Sequence, residues 1–119
     1  MDPRRLIEQI RSHPDFHRVG MILTHVGVVR GVSRDGRQVT GIDIVVDRDR
    51  IAAVINEQKQ RPGIVDVRVE ITDRTALAVG EEIMMVAVAG DVRENVLSAM
   101  AATIDAIKTT VTRKTEHFV

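Results

Sequence analysis

The chain has 119 residues, 44% of them hydrophobic and only 2% aromatic, which suits one domain with an aliphatic core and leaves no room for two. Its 17 Lys and Arg balance 17 Asp and Glu, so no global field draws it to nucleic acid or a membrane surface, and two Phe without Trp or Tyr give no stacking platform for unpaired bases. With no Cys, disulfides, thiolate metal sites and thiol nucleophiles are excluded together.

The opening Met1-Asp2-Pro3-Arg4-Arg5 runs into a charged amphipathic segment and not into an apolar leader. No apolar run reaches bilayer length, so no membrane span is expected and a cytoplasmic location is the default expectation. Asp2-Pro3 has the form of an N-cap with Pro at the first helical position, and Leu6, Ile7 and Ile10 give an apolar stripe that ends before Pro14. From Gly20 to Val32 the chain is nearly all apolar, Asp35-Gly36 is a tight-turn signal, and Ile42, Ile44 and Val46 alternate after it. Residues 20–46 therefore read as a long β-hairpin.

Asp47 can cap a helix with Ile51, Val54 and Ile55 on one face, closed by Pro62-Gly63. Val65, Val67, Val69 and Ile71 alternate with Asp66, Arg68 and Glu70, as in a strand with one buried and one wet face. A further strand is expected from Ile83 to Ala89. Gly90-Asp91 opens the last helix, with Val96, Leu97, Met100, Ala101, Ile104 and Ile107 at helical spacing. The order α, β-hairpin, α, β, β, α predicts an α+β domain with helices packed on a largely antiparallel sheet.

Four histidines are scattered. Pro14 breaks the helical geometry that would join His13 to His17, His25 in its apolar strand reads as a hydrogen-bonded core residue, and His117 reads as solvated. Without Cys or a carboxylate–histidine spacing, a zinc or iron site is not expected. The informative residues are basic. Arg30 follows the first strand, Arg93 lies in the first turn of the last helix, and Lys108 lies at its end, with Arg113 and Lys114 just beyond. Positions 93, 97, 100, 104 and 108 share a helical stripe that is apolar in the middle and cationic at both ends. Either an anion pocket at a boundary or lysine and arginine stems covering apolar surface accounts for that pattern.

The segments Gly27-Val28-Val29-Arg30, Leu77-Ala78-Val79-Gly80-Glu81-Glu82-Ile83, Val86-Ala87-Val88, Arg93 and Ile104-Asp105-Ala106-Ile107-Lys108, in that order and at those separations, resemble the large, catalytic subunit of molybdopterin synthase. The likeness runs from about residue 20 to residue 116. It implies an α/β hammerhead-type fold over a single domain, residues 1–119, with a ferredoxin-like arrangement as the alternative. It also implies a central homodimer in which each protomer binds a small ubiquitin-like sulfur-carrier subunit, giving a heterotetramer. Sulfur from the small subunit's C-terminal thiocarboxylate would pass to cyclic pyranopterin monophosphate, with no cofactor and no metal.

By position in that family, Lys108 matches the principal catalytic lysine and Lys114 the second one. Arg30 matches a substrate-binding arginine, Arg93 the arginine of a His-Arg pair, and Glu116 an acidic residue that follows the second lysine. Such a set suits a cyclic phosphate, since arginines make paired charge-assisted bonds and a lysine among cations is suited to move protons. Val92 stands where the family has histidine, Thr112-Arg113-Lys114 is shorter than the family's Pro-aromatic-Trp-Lys stretch, and the expected Glu and Tyr are absent around Asp43 to Asp47. Two functions thus stand side by side: sulfur transfer, or a non-catalytic dimeric paralogue serving as a binding or regulatory module.

Overall fold

In the computed structural model, which describes residues 1–119, Asp2 opens helix α1 (Pro3–Arg11) by accepting the Arg4 N–H on Oδ1 at 3.0 Å, with Pro3 in the first turn. Strands β1 (Met21–Val28) and β2 (Val39–Val46) follow, then helix α2 (Arg48–Lys59), capped by Asp47 as expected. The chain continues through β3 (Ile64–Ile71), β4 (Ala76–Ala78), β5 (Glu82–Gly90), helix α3 (Arg93–Ala106), a π-helical turn (Ile107–Val111) and β6 (Thr112–Phe118). The fold is α+β with two antiparallel three-stranded sheets, ordered β1-β5-β3 and β4-β2-β6. No helix is long and apolar enough to cross a membrane.

The expected long hairpin over residues 20–46 does not form: β1 and β2 lie in different sheets. The Asp35-Gly36 turn is real, with Gly36 at φ +87° and its N–H donating to the Ser33 carbonyl at 3.0 Å. It closes only a short loop, bounded by the Val39 N–H to Gly31 carbonyl bond at 2.9 Å. The physical reason lies in β5, which is buried continuously from Met84 to Gly90 and takes an edge strand on each side. β1 is one of those edges. Val29 then locks onto the β4–β5 turn, its N–H donating to the Glu81 carbonyl and its carbonyl accepting the Gly80 N–H, both at 2.9 Å. That junction turns the chain away from β5 and into the second sheet.

The first sheet is covered on both faces. Val54, Val67, Met84, Val86, Val88, Val96, Ile107 and neighbours pack between the sheet and α2, α3 and the π turn. Leu6 and Ile10 of α1 cover Met85, Ala87 and Ala89 on the opposite face. The second sheet has its own smaller core of Val29, Val39, Ile42, Ile44 and Leu77. Two cores end to end make the molecule elongated, with a radius of gyration of 15.2 Å against about 13.5 Å for a compact chain of this length.

Asp66 corrects the expectation of a wet face on β3. Just past a bulge after Ile64, this carboxylate is wholly buried, held by Arg68 Nε at 2.8 Å, Lys59 Nζ at 3.4 Å and the Val67 N–H at 2.9 Å. The two cations keep solvent access while the anion does not, so deleting either side has unequal effects. Replacing both cations (Lys59→Met with Arg68→Met) strands a buried charge and is expected to destabilise the fold by about 3 kcal/mol. Asp66→Asn leaves only accessible cations behind and is expected to cost about 1 kcal/mol. Urea unfolding of the two proteins measures the order, and the reverse order would refute the account.

Candidate functional site

The two sheets meet at a cleft of about 630 Å³. Its apolar floor is Val29, Ile42, Ile44, Ile83 and Met84, which draws on both sheets. The end of β1 supplies His25 and Gly27, and the loop after it supplies Arg30 and Arg34. That loop is held by its own bonds: the Ser33 hydroxyl donates to the Asp35 carboxylate and accepts the Arg37 N–H at 3.0 Å. The same Ser33 bond holds the Asp35 carboxyl below its ordinary range.

Lys108 reaches the cleft from the π turn. Ile107 and Val111 are buried on either side of it and anchor the turn, while Lys108 itself is exposed. The wide turn leaves carbonyls that threonine hydroxyls satisfy: Thr109 donates to Asp105 at 2.9 Å and Thr110 to Ala106 at 2.6 Å. The Asp47 N–H bonds the Val111 carbonyl at 2.7 Å and ties the turn to the head of α2. Single π turns inside helices occur often at functional sites, because they re-aim one side chain without ending the helix.

Strand β6 brings the remaining charges. Lys114 pairs with Ile44 and Glu116 with Ile42, so strand alternation places both on the cleft face. Arg113 and His117 fall on the opposite face, where His117 Nε2 lies 2.8 Å from Asp43 Oδ2. The cleft is therefore lined by four cations (Arg30, Arg34, Lys108 and Lys114) and one carboxylate, Glu116. None of the four cations takes part in an ion pair within the chain. Unpaired cations gathered over an apolar floor make a field that favours an anion carrying an apolar or flat body.

Four of the five residues singled out by resemblance thus share one cleft: Arg30, Lys108, Lys114 and Glu116. Arg93 does not line it; it starts α3, exposed, at the far end from Lys108. The stripe through 93, 97, 100, 104 and 108 is not the buried face either. Val96, Ala99, Met100, Thr103 and Ile107 are buried, and Leu97 is 48% exposed. His25 is no hydrogen-bonded core residue: it is half-buried, lines the cleft and has no partner among the hydrogen bonds of the chain. Arg34 and His25 were both invisible to spacing, since only the sheet junction brings them to Lys108.

The family model described as MoaE protein matches residues 1–110. Among curated proteins none matches the sequence. Among solved structures, molybdopterin cofactor biosynthesis protein E from Burkholderia multivorans is similar at a TM-score of 0.76 and 23% identity, covering 100% of this chain and 84% of its own. Molybdopterin synthase from Staphylococcus aureus is similar at a TM-score of 0.74 and 20% identity, covering 94% and 84%. A protein–protein complex of subunits 1 and 2 of the molybdopterin-converting factor from Helicobacter pylori contains a chain similar at a TM-score of 0.70 and 15% identity, covering 99% and 80%. These identities carry the fold, and the match over nearly the whole sequence carries the family: the chain belongs to the MoaE family.

Proposed function

We propose that the chain is the large subunit of a molybdopterin synthase, moving sulfur from a thiocarboxylated small ubiquitin-like subunit to cyclic pyranopterin monophosphate. Membership of the MoaE family supports the coarser statement, a role in molybdenum cofactor biosynthesis. The observation that carries the finer one is the convergence of Lys108, Lys114, Arg30 and Glu116 from separate segments on one cationic cleft. In this reading Arg30, with Arg34 beside it, holds the substrate phosphate through charge-assisted bonds. Lys108 moves the protons, Lys114 neutralises the incoming thiocarboxylate, and Glu116 belongs to the substrate-binding set. The similar chain in a two-subunit complex from Helicobacter pylori supports docking of a small subunit.

Val92 in place of the family histidine favours the second reading, a dimeric paralogue that binds an anion without turning it over. Reconstitution separates the two. The chain, a thiocarboxylated small subunit and cyclic pyranopterin monophosphate are mixed, and loss of the thiocarboxylate is followed by mass. Consumption of the thiocarboxylate with formation of molybdopterin is expected. If both reactants persist while an intact synthase consumes them under the same conditions, the chain is the non-catalytic paralogue.

A further inference from the structure

We propose that His25 is a proton-linked ligand of the cleft: its ring is neutral while the cleft is free, and it takes up one proton when a dianion of the phosphate class binds, becoming a donor to that anion. The inference rests on the anion-binding reading of the cleft and adds a residue and a pH response to it. Geometry gives the first argument. Strand alternation puts His25 and Gly27 on one face of β1, opposite the buried Val86 and Met84. A Cβ on Gly27 would lie 3.7 Å from His25 Nε2, so the ring lies along the strand over the glycine. Neither ring nitrogen has a hydrogen-bond partner in the chain, whereas His13 and His117 both do. A half-buried imidazole without a partner, at the wall of a cleft, is left to bond what enters the cleft.

Charge gives the second argument. Facing the cleft with His25 are Arg30 and Arg34 from the following loop, Lys108 from the π turn, and Lys114 and Glu116 from β6, while β2 and β5 contribute only Ile42, Ile44, Ile83 and Met84. Four cations against one carboxylate oppose a fifth positive charge. Burial, and after it the ammonium of Lys108, hold the His25 imidazole below its ordinary value. A bound dianion reverses that field and accepts the N–H of an imidazolium. One proton passes from solvent to a ring nitrogen, and no other bond changes. Because the bound state holds more protons than the free state between the two His25 pKa values, affinity must rise as pH falls through that window.

Sulfate is the probe, since this dianion does not titrate across the histidine range of about pH 5.5 to 8. Calorimetry with the full chain is expected to show sulfate bound several-fold more tightly at pH 5.5 than at pH 8, towards the limit of about tenfold for a one-unit displacement of a single proton. His25→Gln and His25→Phe should both lose that slope. NMR titration of the His25 ring in the wild type needs no substitution and should move to higher pH when sulfate is added. A slope that survives in both variants, or a His25 titration indifferent to sulfate, overturns the proposal and leaves the anion site standing. No sulfate bound by the wild type at either pH overturns the anion site as well.

Discussion

Lys108→Ala is expected to lower sulfur transfer by about 10²–10⁴-fold, the range for removing a positioned acid–base group. The fold should stay within about 0.5 kcal/mol of the wild type, as for an ordinary surface substitution. Lys108 is exposed and takes part in no ion pair, while its neighbours Ile107 and Val111 hold the π turn in the core without it. A structural role would show the opposite pattern, with stability falling and activity following it. Single-turnover transfer together with urea unfolding on the same preparation reads both quantities. Full activity in the variant would remove Lys108 from the mechanism, and a large loss of stability would make it a structural residue.

Mixing two inactive variants, Arg93→Ala and Lys108→Ala, is expected to restore activity to about a quarter of the wild-type sites. The arithmetic follows from the helix. Arg93 and Lys108 are fifteen residues apart on α3 and its π turn, which at about 1.5 Å per residue separates them by roughly 22 Å. No side chain spans that gap, and the cleft of one chain holds Lys108 without Arg93. The expected recovery rests on the two-fold homodimer that the family resemblance implies, in which Arg93 of one protomer completes the cleft of its partner. Random exchange makes about half the dimers mixed, and each mixed dimer carries one doubly damaged and one intact site. Native mass spectrometry verifies exchange. Mixed dimers that form and stay inactive would place Arg93 outside the site.

Much of the fold was legible because local signals and long-range packing agree. Asp2 and Asp47 cap the helices they announce, and the unbroken apolar run of β5 marks a strand covered on both faces. Other parts were not legible, for a common reason: they depend on ladders between distant segments. β6 reads Thr-Arg-Lys-Thr-Glu-His-Phe, with no apolar alternation, and is a strand because β2 supplies its partner. The turn at Asp35-Gly36 suggested a hairpin, yet the pairing of β1 was decided by β5, some sixty residues later. The same logic governs the site. Lys108 was marked by its helical stripe, and Arg30 and Lys114 as cations at the ends of elements, but only the resemblance joined them with Glu116, because no periodicity links a loop, a π turn and an edge strand. His25 and Arg34 carried no such signal, because only the junction of the two sheets brings them to Lys108.

The unequal size of the two cores has a consequence for how the cleft responds to what it holds. The first sheet is secured by clusters of twelve and five buried side chains, and the second by five alone. Local opening therefore costs less free energy in the second sheet, and amide exchange should run faster along β2 and β6 than along β5. Lys108 stands on the firm wall of the cleft, whereas Lys114 and Glu116 ride on the yielding one. An anion gripped by both lysines fastens the labile sheet to the stable one, because it binds only the closed arrangement. Its arrival would then slow exchange as far away as β4, a strand that no ligand in the cleft touches.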